Sequence, residues 1–522
     1  MKRAGRRRTR LLEFNIMNAT CRSWIAVCFL VVFLASCAGS ASQPVSPAYW
    51  PTQGWKTTTP EEQGMDSQLL AQMVEQIQAD QLKLHSLLVV RNGYLVSEIY
   101  PYPYTASQPH WIASVTKSVV SALVGIAIDR GSIKNVHQPL NDFFPNLAPD
   151  KKEITLENLL TLTTGIACQE NPAPGTTMLK PGANWVDYVL NQPVVDPPGR
   201  RFNYCTDQVH LLSAILQKST GMTAREFANQ NLFAPLGIDP IPEQRWPSDP
   251  QEITIGGYGL ALTPAEMAKF GFLILNQGKW DGKAIISPGW VRDSTITHIQ
   301  KNDGNGYGYL WTIDPHRKYF SALGRGGEHI FVFPAENLVV VFTAGLPASN
   351  NADYIPLEKF LNQYILPAVK SGRPLQANPT ALSRYQAGVA ALAQPKRAVQ
   401  PLPSVAAAIS GKTFTLADNP LGWRQIVFTF KDGAEEAQAT VDGSTLLIGM
   451  DNVFRYVPGT DPIFPHGVRG QWVSEDTLLI QDIYTGQMMD VEYTIQFIAS
   501  SLRITRRENI SGVEMKLAGS LE

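Results

Sequence analysis

A chain of 522 residues exceeds what one hydrophobic core usually supports, so two or three folded units are expected. Hydrophobic residues at 44% and charged residues at 17% describe an ordinary globular protein. With 44 basic against 45 acidic residues the formal net charge is -1, which gives no global attraction to nucleic acid or to an anionic membrane, and no nucleic-acid partner is expected.

Residues 1–37 read as an export signal. Lys2, Arg3, Arg6, Arg7, Arg8 and Arg10 are basic, and Trp24 to Leu34 is an apolar run ending at small residues. At roughly a dozen residues the run is short for a membrane span. The junction Leu34-Ala35-Ser36-Cys37 resembles the lipobox of bacterial lipoproteins, which makes Cys37 the expected lipidation site and the membrane a partner through that lipid. The long basic stretch leaves Met17 open as the true start, and an uncleaved anchor is the alternative. Either reading places the protein outside the cytoplasm, on the bacterial cell envelope and facing the periplasm or the exterior. Residues 38–54, rich in Ser and Pro up to about Tyr49, read as a tether.

A first folded unit is expected over 55–371. Ser86 to Arg91 and Tyr94 to Tyr100 are apolar β-type runs joined at Arg91-Asn92-Gly93, a hairpin signal. Ser114 to Arg130 is apolar around its whole circumference, so it predicts a helix buried on all sides, with Gly131 just past its end. Helical patterns continue to about Gln277. Tyr319 to Leu323, His329 to Pro334 and Leu338 to Ala344 read as strands and Asp353 to Val369 as a closing helix. Early strands, a helical middle and late strands predict an α+β fold, one antiparallel sheet built from both ends of the unit and flanked by helices. Pro pairs in Ala-rich sequence mark 372–405 as a linker. Beyond it, 406–522 alternates apolar and polar residues with period two, as in Val491, Tyr493, Ile495 and Phe497, and predicts a smaller all-β meander or lipocalin-like barrel.

A serine hydroxyl needs a neighbour that removes its proton before it attacks anything at neutral pH. Neither a Gly-x-Ser-x-Gly elbow nor a His-Glu-x-x-His zinc signature occurs, and neither a metal nor an organic cofactor is expected. Ser-x-x-Lys occurs once, at Ser114-Val115-Thr116-Lys117. Positions i and i+3 share a helix face, so the Lys117 amine can reach the Ser114 hydroxyl, and burial disfavours the charged amine. Past the signal only Cys37, Cys168 and Cys205 remain. A Cys168–Cys205 bridge and two buried free thiols are both open.

Several segments together resemble the serine β-lactamase and penicillin-recognising superfamily, in its class C branch with esterases and 6-aminohexanoate-dimer hydrolases. They are His85 to Gly93, His110 to Ser118, Ile154 to Gly165, Pro198 to Tyr204, and Gly257-Tyr258-Gly259-Leu260 with Lys269-Phe270-Gly271. The resemblance implies Ser114 as nucleophile, Lys117 as base and Tyr204, from a Tyr-x-Asn motif, as a proton shuttle. Thr206 stands where that motif has asparagine, exchanging an amide for a shorter hydroxyl. The third motif is expected at Arg325-Gly326-Gly327, with the amides of Ser114 and Glu328 forming the oxyanion hole and Arg325, Gly326, Gly327 and Thr206 bordering the substrate. His110 is expected to be structural, because the lysine already fills the role of base. Because two of the three motifs depart from the antibiotic-binding pattern, the implied substrate is a small-molecule ester or amide. The alternative reading is a ligand-binding or catalytically weak cell-envelope lipoprotein of penicillin-binding type.

Overall fold

The computed structural model describes residues 47–168, 183–347, 354–488 and 490–521. The export signal, Cys37 and residues 38–46 of the expected tether lie outside the described residues. The tether expectation fails from Trp50 on: its ring packs against Trp280 and Phe272 at 5.3 and 5.8 Å, and Pro51 is buried. Aromatic area moves this stretch from solvent onto the folded unit.

Helix α1 (Ser67–Ala79) starts at Asp66, whose side chain accepts from the Gln68 amide. It leads into β1 (Leu84–Arg91) and β2 (Tyr94–Ile99). Asn92 and Gly93 both take positive φ, 52° and 85°, as the two-residue turn requires. Helix α2 (Val115–Asp129) follows, with every residue from Val115 to Ala127 buried. Helices α3 (Thr206–Thr220) and α4 (Pro264–Leu275) belong to the helical middle, and β3 (Tyr319–Gly324), β4 (Glu328–Phe333) and β5 (Leu338–Ala344) complete the sheet. Its order is β2-β1-β5-β4-β3, extended by short strands at Thr312–Asp314, Gly306–Tyr307 and Ile299–Gln300, with antiparallel neighbours throughout.

The sheet is covered on both faces, which is why its strands read as apolar runs rather than alternations. Leu88, Val90, Ile330, Val332, Val339 and Val341 enter the core shared with α2, α3 and α4. Leu87, Val89, Phe331, Phe333, Val340 and Phe342 enter a second core with α1 and the helix after residue 353. On α4, a Cβ at Gly271 would sit 2.7 Å from a Val339 methyl, so this glycine lets the helix lie close on the sheet.

Residues 372–405 are more than a linker. Helix α5 (Pro379–Leu392) packs along α1, and the buried Tyr385 hydroxyl shares a 2.7 Å hydrogen bond with Ser97 Oγ. The Pro and Ala content that suggests a linker is a helix start with proline at its first position, followed by good helix formers.

The C-terminal strands are β6 (Thr413–Leu416), β7 (Gln425–Thr429), β8 (Glu436–Val441), β9 (Ser444–Gly449), β10 (His466–Trp472), β11 (Thr477–Tyr484), β12 (Val491–Ile498), β13 (Ser501–Glu508) and β14 (Glu514–Leu521). They run β9-β8-β7-β6-β14-β13-β12-β11-β10, and a pairing of Gly449 with Arg469 closes the ring. Phe414, Phe428, Trp472 and Phe497 fill its core.

Candidate active site

Ser114 sits at the mouth of α2, and the backbone before it is bent to put it there. Ala113 adopts φ 45°, a left-handed conformation uncommon for a residue with a side chain. The amides of Val115, Thr116 and Lys117 then bond back to the carbonyls of Ile112, Ala113 and Ser114, which starts the helix. The result is a partly exposed Ser114 above a Lys117 that is only 1% exposed.

Three oxygens surround the Lys117 amine. Nζ donates to Ser114 Oγ at 2.8 Å, to Thr206 Oγ1 at 3.0 Å and to the Gly257 carbonyl at 2.8 Å. All three are neutral, and the Tyr204 ring lies 5.0 Å from the same nitrogen. An amine has three positions besides its carbon. With Thr206 and Gly257 accepting at two of them, the third faces the serine in either protonation state: an N–H in the ammonium, the lone pair in the neutral amine.

Each partner has a local reason to be there. Thr206 is the first residue of α3, next to Cys205, and Cys205 is joined by a disulfide to Cys168. That settles the question left open between a bridge and two thiols. A Cβ on Gly257 would lie 2.5 Å from the Thr206 carbonyl and 2.7 Å from its methyl, so glycine is needed for the loop to bring its own carbonyl to Lys117. In sequence, Gly257 stands out only as part of a family-like segment. The signal was the run Gly256-Gly257-Tyr258-Gly259.

Ser114 and Lys117 open onto a cavity of about 400 Å³ whose wall also includes Phe202, Tyr204, Tyr307, Ser321, Leu323, Gly324, Arg325 and His329. On β3, Tyr319, Ser321 and Leu323 line it at every second position, as residues on one face of a strand do. Gly324 brings the strand close to the nucleophile segment, since a Cβ there would be 2.6 Å from the Ile112 carbonyl. His329, missed as a site residue because it reads as an ordinary strand position, is held neutral by burial, its ring pushed down to about 4.

The expected third motif reaches the cavity at its first residue alone. Gly324 and Arg325 line the cavity, whereas Gly326, Gly327 and Glu328 do not. Gly326 and Gly327 take φ 84° and 97° in the turn into β4, against Met488 and Ala344. Glu328 pairs with Gly324 across the hairpin, and its side chain is buried, accepting from the Ala344 amide; burial raises its carboxyl well above the usual range. The Gly-Gly pair therefore serves the turn, and the residues of this region that reach the cavity are Gly324 and Arg325. Thr206 is also displaced from its expected place: buried behind Lys117, it is not part of the cavity wall.

His110 is fully buried, with Nδ1 3.1 Å from the Gln108 carbonyl, and burial lowers it to about 3; it does not reach the cavity. Lys269, in another quoted segment, donates to the Gly237 carbonyl at 2.8 Å and is structural. Among the described residues no group of three or more His, Cys, Asp or Glu side chains is placed to hold a metal ion.

Comparison with known proteins bears on the family of the chain. The family profile described as beta-lactamase matches residues 70–359. The 6-aminohexanoate-dimer hydrolase of Paenarthrobacter ureafaciens is 23% identical over 288 residues, which span 50% of this chain and 72% of that protein. Among solved structures, a Bacillus anthracis protein assigned as a 6-aminohexanoate-dimer hydrolase aligns with a TM-score of 0.50 at 20% identity, over 61% of this chain and 89% of its own. A Bacteroides dorei protein assigned as a beta-lactamase aligns with a TM-score of 0.50 at 19% identity, over 59% of this chain and 100% of its own.

Proposed function

This chain belongs to the beta-lactamase family and is a serine hydrolase, and we propose that it cleaves an ester or amide bond of a small molecule through an acyl-enzyme on Ser114. The observation that carries the proposal is the 2.8 Å contact between Lys117 Nζ and Ser114 Oγ in the wall of the cavity. Lys117 accepts the serine proton as Oγ attacks the carbonyl carbon. The Tyr204 ring face next to Nζ favours the positive charge that forms there. The oxyanion is held by the Ser114 amide and, in place of the Glu328 amide, that of Arg325; such a donor is worth about a hundredfold or more in rate. Collapse breaks the bond to the leaving alkoxide or amine, which takes its proton from Lys117 with Tyr204 as relay. Water then attacks the acyl carbonyl along the same proton path, releasing the acid and restoring Ser114.

The basic N-terminus, the apolar run and Leu34-Ala35-Ser36-Cys37 support export with a lipid on Cys37, and a Cys168–Cys205 disulfide suits an oxidising compartment. Wild-type protein from a bacterial host should then carry acyl chains on Cys37 by mass spectrometry, and Cys37→Ala should leave the detergent fraction.

The test of activity is a panel of short-chain esters, linear amides and β-lactams on one preparation. Turnover of an ester or amide that is absent in Ser114→Ala supports the proposal. No turnover of any member by wild type, with no burst, contradicts it.

A further inference from the structure

The barrel touches the hydrolase where the two halves of its catalytic centre meet. On one side, the Trp111 amide, three residues before Ser114, donates to the Gly486 carbonyl at 2.9 Å. Gln108 Nε2 donates to the Ile463 carbonyl at 2.6 Å and the Thr485 carbonyl at 3.1 Å, as well as to its neighbour Pro109 at 3.1 Å. The Trp111 and Phe464 rings meet edge to face at 5.2 Å. Gly486, at φ 86°, is seated so closely that a Cβ would lie 2.0 Å from the Pro109 carbonyl. On the other side, two residues along the same loop, Met488 fills the space beside Gly326, whose Cβ would lie 2.7 Å from its sulfur. Gly326 directly follows Arg325 of the cavity wall.

One loop between β11 and β12 therefore contacts both the segment that ends in Ser114 and the turn that begins at Arg325. The opposite edge of the nucleophile segment is fixed within the hydrolase itself, where His110 and Trp111 pair with Leu262 and Ala261. Without the loop, the segment would be held along one edge only, just before the left-handed Ala113.

We propose that the barrel loop around Gly486 and Met488 is a positioning element of the active site, which sets the distance between the Ser114 hydroxyl and the oxyanion amides. The C-terminal unit then completes the catalytic centre. This rests on the acyl-enzyme reading of Ser114. Displacing a nucleophile by about 1 Å costs up to about a hundredfold in rate.

The experiment uses the full chain with Gly486→Ala, Gln108→Met and, as a control away from Gly486 and Met488 in the barrel sequence, Leu447→Ala, whose side chain is exposed on β9. Each is followed by the rate of fluorophosphonate labelling of Ser114, by kcat and KM on an activated ester, and by thermal unfolding. Gly486→Ala and Gln108→Met should label Ser114 at least about tenfold more slowly and lose kcat in proportion, with KM within about twofold and a single folded transition retained. Leu447→Ala should label as wild type. A barrel that only adds stability would lower the unfolding midpoint while leaving the labelling rate of folded protein unchanged, and that result overturns the proposal. If Gly486→Ala does not fold, Gln108→Met, which removes only side-chain donors at the seam, decides alone. Absence of label on wild-type Ser114 would instead refute the acyl-enzyme reading beneath it.

Discussion

Thr206→Val tests whether the oxygen cage around Lys117 matters to catalysis. Valine keeps the methyl group that packs against Gly257 and replaces Oγ1, 3.0 Å from Lys117 Nζ, with a carbon that cannot accept. The lysine is 1% exposed, so no bulk water replaces the lost partner. A hydrogen bond to a charged group in such a place is worth about 1.5–3 kcal/mol. If the bond is made while Lys117 holds the serine proton, that energy comes off the transition state, a loss of roughly tenfold to somewhat over a hundredfold in kcat/KM. The assay is steady-state hydrolysis of a p-nitrophenyl ester, with Thr206→Ser as the variant that keeps the oxygen and should stay within a few fold of wild type. A folded Thr206→Val with wild-type kcat/KM would refute the reasoning and return Thr206 to a packing role.

Tyr204→Phe keeps the ring face beside Lys117 and removes the hydroxyl. Turnover should fall at least about tenfold if that hydroxyl relays the proton, measured on the same ester. Removing the Cys168–Cys205 bridge by a double substitution to serine opens a loop with a separation of 37 residues and should cost about 4 kcal/mol on the chain-entropy account, read from urea unfolding. Asp490, raised from 3.8 to about 6 chiefly by burial, gives a pH test. An acid raised in the folded state stabilises the fold when protonated and loses that contribution as pH climbs through about 6. Asp490→Asn should therefore be the more stable protein at pH 7, by at most about 3 kcal/mol, with the difference shrinking toward pH 4; equal slopes for the two proteins would refute it.

The sequence made the nucleophile and its base legible because both lie on one helix, where spacing alone decides whether they meet. Hairpin β1–β2, helix α2 and strands β3 to β5 were visible for a similar reason, since each is a continuous apolar run with turn residues at its ends. What could not be read was whatever depends on two distant segments meeting. Gly257 reaches Lys117 only because α3 and the loop before α4 pack together, and a carbonyl leaves no mark in a sequence. Gly326-Gly327 looks in sequence like a site of close substrate approach, whereas positive φ in the turn is what those glycines supply. Helix α5 looks like a linker in sequence because proline and alanine suit a helix start as well as a break. In β10, Gly467 and Gly470 interrupt the apolar-polar alternation that marks β12, so this strand leaves a weaker signal.

The central claim is that Ser114 carries the acyl group. Full-length protein treated with a fluorophosphonate, or quenched during turnover of a slow ester, should gain one probe or acyl mass per chain, and peptide mapping should place it on Ser114. Lys117→Ala should take up the label far more slowly, and Ser114→Ala should take up none. Stoichiometric label on another side chain, or undiminished hydrolysis by Ser114→Ala, would contradict the account.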